Sequence, residues 1–112
     1  MNRFFTTFLM LGFVLTLYAH PAKDVILEYN KETKTLKIIA KHEVNNAEKH
    51  YIDWLVVKVN GNEKARQEYQ KQTNNAELVV EIVLENVQPG DEIEVITNCN
   101  KFGKKKAKIK IE

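Results

Sequence analysis

Lys106-Ala107-Lys108-Ile109-Lys110-Ile111 decides how this chain folds. Ala107, Ile109 and Ile111 fall on alternate positions, with a lysine before each. Successive side chains of an extended strand point to opposite faces, so this pattern is a strand with one apolar and one wet side. Leu36-Lys37-Ile38-Ile39-Ala40 repeats it, with Leu36, Ile38 and Ala40 on one face. Leu78-Val79-Val80-Glu81-Ile82-Val83-Leu84 does so again, with Leu78, Val80, Ile82 and Leu84 together. The period is two rather than 3.6, as in antiparallel sheets that cover a core on one face.

Turn-forming residues separate these runs: Asn30 to Thr33, Asn45-Asn46, Asn60-Gly61, Asn74-Asn75, Pro89-Gly90 and Gly103. Between them the chain predicts seven strands, near 24–30, 34–41, 51–59, 64–71, 77–85, 91–98 and 105–111. Seven short strands at this spacing predict an all-β, immunoglobulin-like β-sandwich. The Cys…Trp…Cys pattern of antibody domains is absent. Glu63 to Gln72 contains good helix formers, but Asn60-Gly61 is a hairpin signal, and a strand is expected there.

A chain of 112 residues is a single domain. Its first nineteen residues read differently from the rest. Arg3 precedes an apolar run from Phe4 to Leu17, and Ala19 is a small residue suited to a cleavage site. This is the plan of a secretory signal peptide over residues 1–19. The run is shorter than the roughly 20 apolar residues of a membrane-spanning helix. The expectation is an exported domain over residues 20–112, periplasmic or extracellular, with no membrane attachment after cleavage. Removing Arg3 from seventeen basic residues leaves sixteen against fifteen acidic ones. Basic and acidic residues alternate along most of the chain, which argues against nucleic acid as a partner. The exported part keeps one phenylalanine, Phe102, and no methionine. A domain this small has a modest core, and exported domains of this size often add disulfides or a metal. With one cysteine, an internal disulfide is impossible.

The residues suited to chemistry are few. The three histidines are His20, His42 and His50, and the one cysteine is Cys99. His42 closes one predicted strand and His50 opens the next. Cys99 ends the sixth. Rigid scaffolds present sites at such strand ends. Surface histidines in loops are common, and His20 near a terminus is ordinarily disordered. A free thiol in an exported protein calls for an explanation such as a ligand role or intermolecular pairing. A thiolate with imidazoles suits iron, copper or zinc. The lysines from Lys101 to Lys108 read as a solvated strand face, and Trp54 as a half-buried packing residue. No phosphate-binding loop, nucleophile elbow or pair of catalytic carboxylates stands out.

His42 followed by His50-Tyr51-Ile52-Asp53-Trp54 resembles the histidine loop and next strand of the superoxide reductases, the desulfoferrodoxin and neelaredoxin group. Cys99-Asn100-Lys101-Phe102-Gly103 resembles that family's Cys-Asn-x-His-Gly motif, and Pro89-Gly90-Asp91 the turn before it. The likeness spans nearly all of residues 20–112. It implies a seven-stranded immunoglobulin-like sandwich and a single non-haem iron held by four histidines and an axial thiolate. It further implies one-electron reduction of superoxide to hydrogen peroxide, with a small redox protein as electron donor. On this resemblance His20, His42 and His50 are iron-ligating histidines and Cys99 the thiolate. The chain departs from the pattern in three places. Phe102 stands at the fourth histidine's position, the loop from His42 to His50 is long, and the lysine expected before the first histidine is Ala19. Phe102 is expected either to plug the core or to form an apolar wall beside the metal. The alternative expectation is a non-catalytic metal-binding or electron-transfer protein, with copper in place of iron. A plain adhesion domain without metal is the third reading.

Overall fold

In a computed structural model, the structure describes residues 20–112. The expected signal peptide lies outside the described residues. The strands are β1 (Asp24–Asn30), β2 (Thr35–Lys41), β3 (Ile52–Val59), β4 (Asn62–Glu68), β5 (Glu77–Val83), β6 (Glu92–Cys99) and β7 (Lys104–Lys110). They form two antiparallel sheets, a three-stranded β1-β2-β5 and a four-stranded β4-β3-β6-β7. The all-β sandwich expected from the alternation is therefore the fold observed.

The apolar faces meet between the sheets. Leu36, Ile38 and Ala40 of β2 are fully buried, as are Leu55 and Val57 of β3 and Ile93 and Val95 of β6. Each aliphatic side chain of this kind contributes about 1.5–3 kcal/mol on full burial. The lysines of β7 are exposed, while Ala107 and Ile109 pack against the core.

Most strand ends fall within one or two residues of expectation, and the fourth strand departs furthest. The strand expected over 64–71 begins earlier and ends earlier, at Asn62–Glu68. The cause is the turn before it. Asn60 and Gly61 both have positive φ (50° and 85°), the backbone of a two-residue hairpin, so pairing resumes at once with Val59 opposite Asn62.

Three strands hold interior places in the sheets. β2 is the middle strand of its sheet, and β3 and β6 are the middle pair of theirs. All three are held by ladders on both sides, so residues at their ends inherit a rigid position. A bulge between Ile52 and Trp54 lets Ile52 pair with Cys99 while Trp54 pairs with Asn98. Bulges re-aim side chains and are over-represented beside functional sites. Among the described residues, no helix is long and apolar enough to cross a membrane.

Candidate metal centre

The ends of the three central strands converge. His42 follows β2 directly, His50 lies two residues before β3, and Cys99 is the last residue of β6. One ligand atom from each of His42, His50 and Cys99 lies within 4.8 Å of the others. His50 Nε2 is 3.1 Å from Cys99 Sγ, and the His42 and His50 ring centroids are 4.8 Å apart. His42 is fully buried, Cys99 is 3% exposed and His50 is half-buried. His42 is thus not the surface loop residue that its position in the chain allows.

Backbone hydrogen bonds shape each approach. The Lys49 and His50 amides both donate to the Asn46 carbonyl, at 3.0 and 2.9 Å, which closes a tight turn just before His50. Asn100 ties that turn to the cysteine loop. Its Oδ1 accepts from the Tyr51 amide (2.9 Å), its Nδ2 donates to the Lys49 carbonyl (3.0 Å), and its own amide donates to the Tyr51 carbonyl (3.0 Å). Beyond it, the Cys99 amide donates to the Gly103 carbonyl at 2.9 Å. The Lys101 amide points at Cys99 Sγ from 3.4 Å, a donor suited to a thiolate.

His20 is held beside this cluster rather than loose at a terminus. The Lys23 amide donates to the Lys41 carbonyl (2.7 Å), Ala22 is buried, and Pro21 lies over Gly103. The His20 ring stands 5.0 Å from that of His42 and 5.4 Å from that of His50, centroid to centroid. Its Nδ1 donates to the Pro21 carbonyl at 2.9 Å, which leaves Nε2 as the nitrogen with a lone pair. Its carbonyl oxygen is 3.1 Å from His42 Nε2.

The electrostatics favour a neutral, ligating ring at His50. Burial, and then the neighbouring His42, His20 and Lys101, hold His50 below the usual histidine value of 6.5. Its ring therefore keeps a free lone pair at neutral pH.

These donors fit a metal ion chemically. A thiolate and imidazoles are the set that selects iron, copper or zinc over magnesium or calcium. Typical metal–sulfur and metal–nitrogen bonds place opposite ligands about 4.4 Å apart. The 4.8 Å span is close enough for small side-chain rotations to close it.

Two residues change the picture drawn from sequence. Phe102 is 62% exposed, so it does not plug the core, and a ring so open shuts out little water. Gln72, which sequence reasoning passed over, is 3% exposed and hydrogen-bonds to His42 Nδ1 through Oε1. It stands in the β4–β5 connection, where nothing in composition or spacing marks a single glutamine. Trp54 is half-buried as expected, with the Arg66 guanidinium at 5.3 Å and the Lys104 ammonium at 5.4 Å from its ring.

Comparison with known protein families, with curated proteins and with solved structures gives no match for this chain.

Proposed function

We propose that this protein is an exported, mononuclear non-haem iron protein of superoxide-reductase type. The observation that carries the reading is the convergence of His42, His50 and Cys99 from three central strands into one cluster. Those are the positions that resemble the reductase motifs. His42, His50 and Cys99 are the proposed ligands, with His20 beside them as a fourth. When bound, the iron supplies the one-electron couple that reduces superoxide to hydrogen peroxide, and a small redox protein restores the electron. The chain's own groups do the rest. The thiolate of Cys99 lowers the charge of the centre and receives the Lys101 amide. The buried ring of His42 holds its place through Gln72. His50 and the half-buried arm at His20 and Pro21 form the solvent-facing side.

The test is direct. Protein prepared without chelators is analysed for metal, then loaded with ferrous iron and mixed with superoxide in the presence of a reductant. One iron per chain and as much peroxide as superoxide consumed is the expected result. Half that peroxide yield signals dismutation instead, and no consumption by iron-loaded protein removes the reductase reading.

A second reading is favoured by one observation. The His20 carbonyl, and not only its ring, is at the cluster. Processing after Ala19 would make His20 the N-terminus, and its α-amine and Nδ1, once released from the Pro21 carbonyl, would then chelate copper alongside the other donors. Mass spectrometry of the exported protein tests this: any N-terminus other than His20 rules the chelate out.

A further inference from the structure

We propose that Gln72 is a positioning residue that fixes which nitrogen of His42 ligates; the role in ligation rests on the metal reading above, whereas the tautomer it imposes does not. A primary amide offers two donors and an oxygen with two lone pairs. Gln72 uses all four. Nε2 donates to the His42 carbonyl at 3.0 Å and to the Asn74 carbonyl at 3.1 Å. Carbonyls only accept, so the nitrogen end of the amide cannot be exchanged for the oxygen end. Oε1 is therefore the atom that faces the Ile52 amide, 3.1 Å away, and His42 Nδ1. An amide oxygen has no hydrogen to give. The hydrogen of that contact belongs to Nδ1, and Nε2 is left as the ring's ligating atom.

The His20 carbonyl, 3.1 Å from Nε2, competes for the same proton in the metal-free chain. Gln72 holds the stronger position. Its amide is tied to three backbone groups from two loops and a strand, and it is buried. The carbonyl belongs to the half-buried arm. A metal ion on Nε2 would take the place of that hydrogen, and the His20 carbonyl, now 3.1 Å from Nε2, would have to turn aside or itself become a ligand. A hydrogen bond to the distal nitrogen of a ligating histidine fixes ring orientation and raises its basicity, and loss of such a partner costs about 10–100-fold in affinity.

Long-range proton–nitrogen NMR of the histidine side chains tests this without metal. In the wild-type chain above neutral pH, His42 is expected to carry its hydrogen on Nδ1. Gln72→Leu removes the acceptor, and the hydrogen is expected to move toward Nε2, with zinc affinity lower by about 10–100-fold. Nε2–H in the wild type, or unchanged Nδ1–H in Gln72→Leu, overturns the proposal. Should Gln72→Leu fail to fold, the wild-type spectrum decides the tautomer alone. A wild type with Nδ1–H that takes up no zinc overturns the metal reading and leaves the tautomer assignment standing.

Discussion

The two ends of the sandwich use polar residues in opposite ways. At the end formed by the β1–β2, β3–β4 and β5–β6 turns, polar side chains satisfy nearby backbone at the surface. Asn30 Oδ1 accepts from the Glu32 and Thr33 amides. Asn60 bonds Asp91 at 3.0 Å and accepts from the Glu92 amide, and Asp91 accepts from the Gln88 amide. At the other end His42, Gln72 and Cys99 are buried, and they bond side chains and backbone of the strands and loops packed around them. Buried polar groups cost free energy unless paired, so turns alone have no need of them. Among the described residues, no buried side-chain nitrogen or oxygen lacks a partner. The first end closes a fold; the second gathers buried polar groups that could hold a metal.

The sharpest way to break this comparison is to remove the thiol. Cys99→Ser is expected to lower iron affinity by more than about 100-fold, beyond the loss typical of an outer hydrogen-bond partner. Serine stays protonated at neutral pH and is a harder donor. Isothermal titration on wild type and variant checks it, and equal affinities place the site elsewhere.

Next comes an asymmetry between the two histidines. His42→Ala empties a fully buried position and takes one of its two donors from Gln72 Oε1, a loss of about 1–3 kcal/mol in the apo protein. His50→Ala, at a half-buried turn, is expected to cost less while weakening metal binding comparably. Urea unfolding of both apo variants, paired with metal titration, reads the two effects separately. Equal apo stabilities contradict the burial contrast.

At the far end, Asn60→Ala is expected to cost about 1–2 kcal/mol, because its φ of 50° is left-handed backbone that alanine resists. Metal affinity should not change. A fall in affinity in this variant means that the ends are coupled.

Two glycines give a finer contrast. Gly61 and Gly103 have nearly the same φ, +85° and +88°, so alanine strains both backbones alike. Only at Gly103 does the added carbon meet something, the Pro21 ring at 3.2 Å. Gly103→Ala is expected to shift the His20 resonances and Gly61→Ala to leave them in place. Matching histidine spectra in the two variants argue against a seated arm.

The smallest effect is in pH. His50 is held below its unfolded value of 6.5, so the unfolded chain takes up its proton first. The apo protein's stability is expected to fall as pH drops through 6.5 toward that lowered value, and to level below it. His50→Ala should flatten this segment of the curve, as followed by thermal unfolding across pH.

Much of the fold was legible because alternation is a local signal. Lys106 to Ile111 and Leu78 to Leu84 report their two faces without reference to anything distant. Cys99, His42 and His50 were legible as chemistry because each is rare in this chain and falls at a strand end. The turn at Asn60-Gly61 was legible too, yet the early start of β4 was not, since register depends on how tightly the turn closes. Gln72 was hidden for a different reason. A glutamine among Gln67, Gln70 and Gln72 is ordinary in sequence, and only the crossing from one sheet to the other places this one against His42. The exposure of Phe102 was likewise a property of where the β6–β7 loop points.

X-ray absorption on zinc-loaded protein tests the central claim most directly, because it reads the ligand atoms themselves. A shared site of His42, His50 and Cys99 predicts one sulfur at about 2.3 Å and imidazole nitrogens at about 2.0–2.1 Å. A shell of oxygen and nitrogen alone, with no sulfur and no imidazole signature, contradicts it.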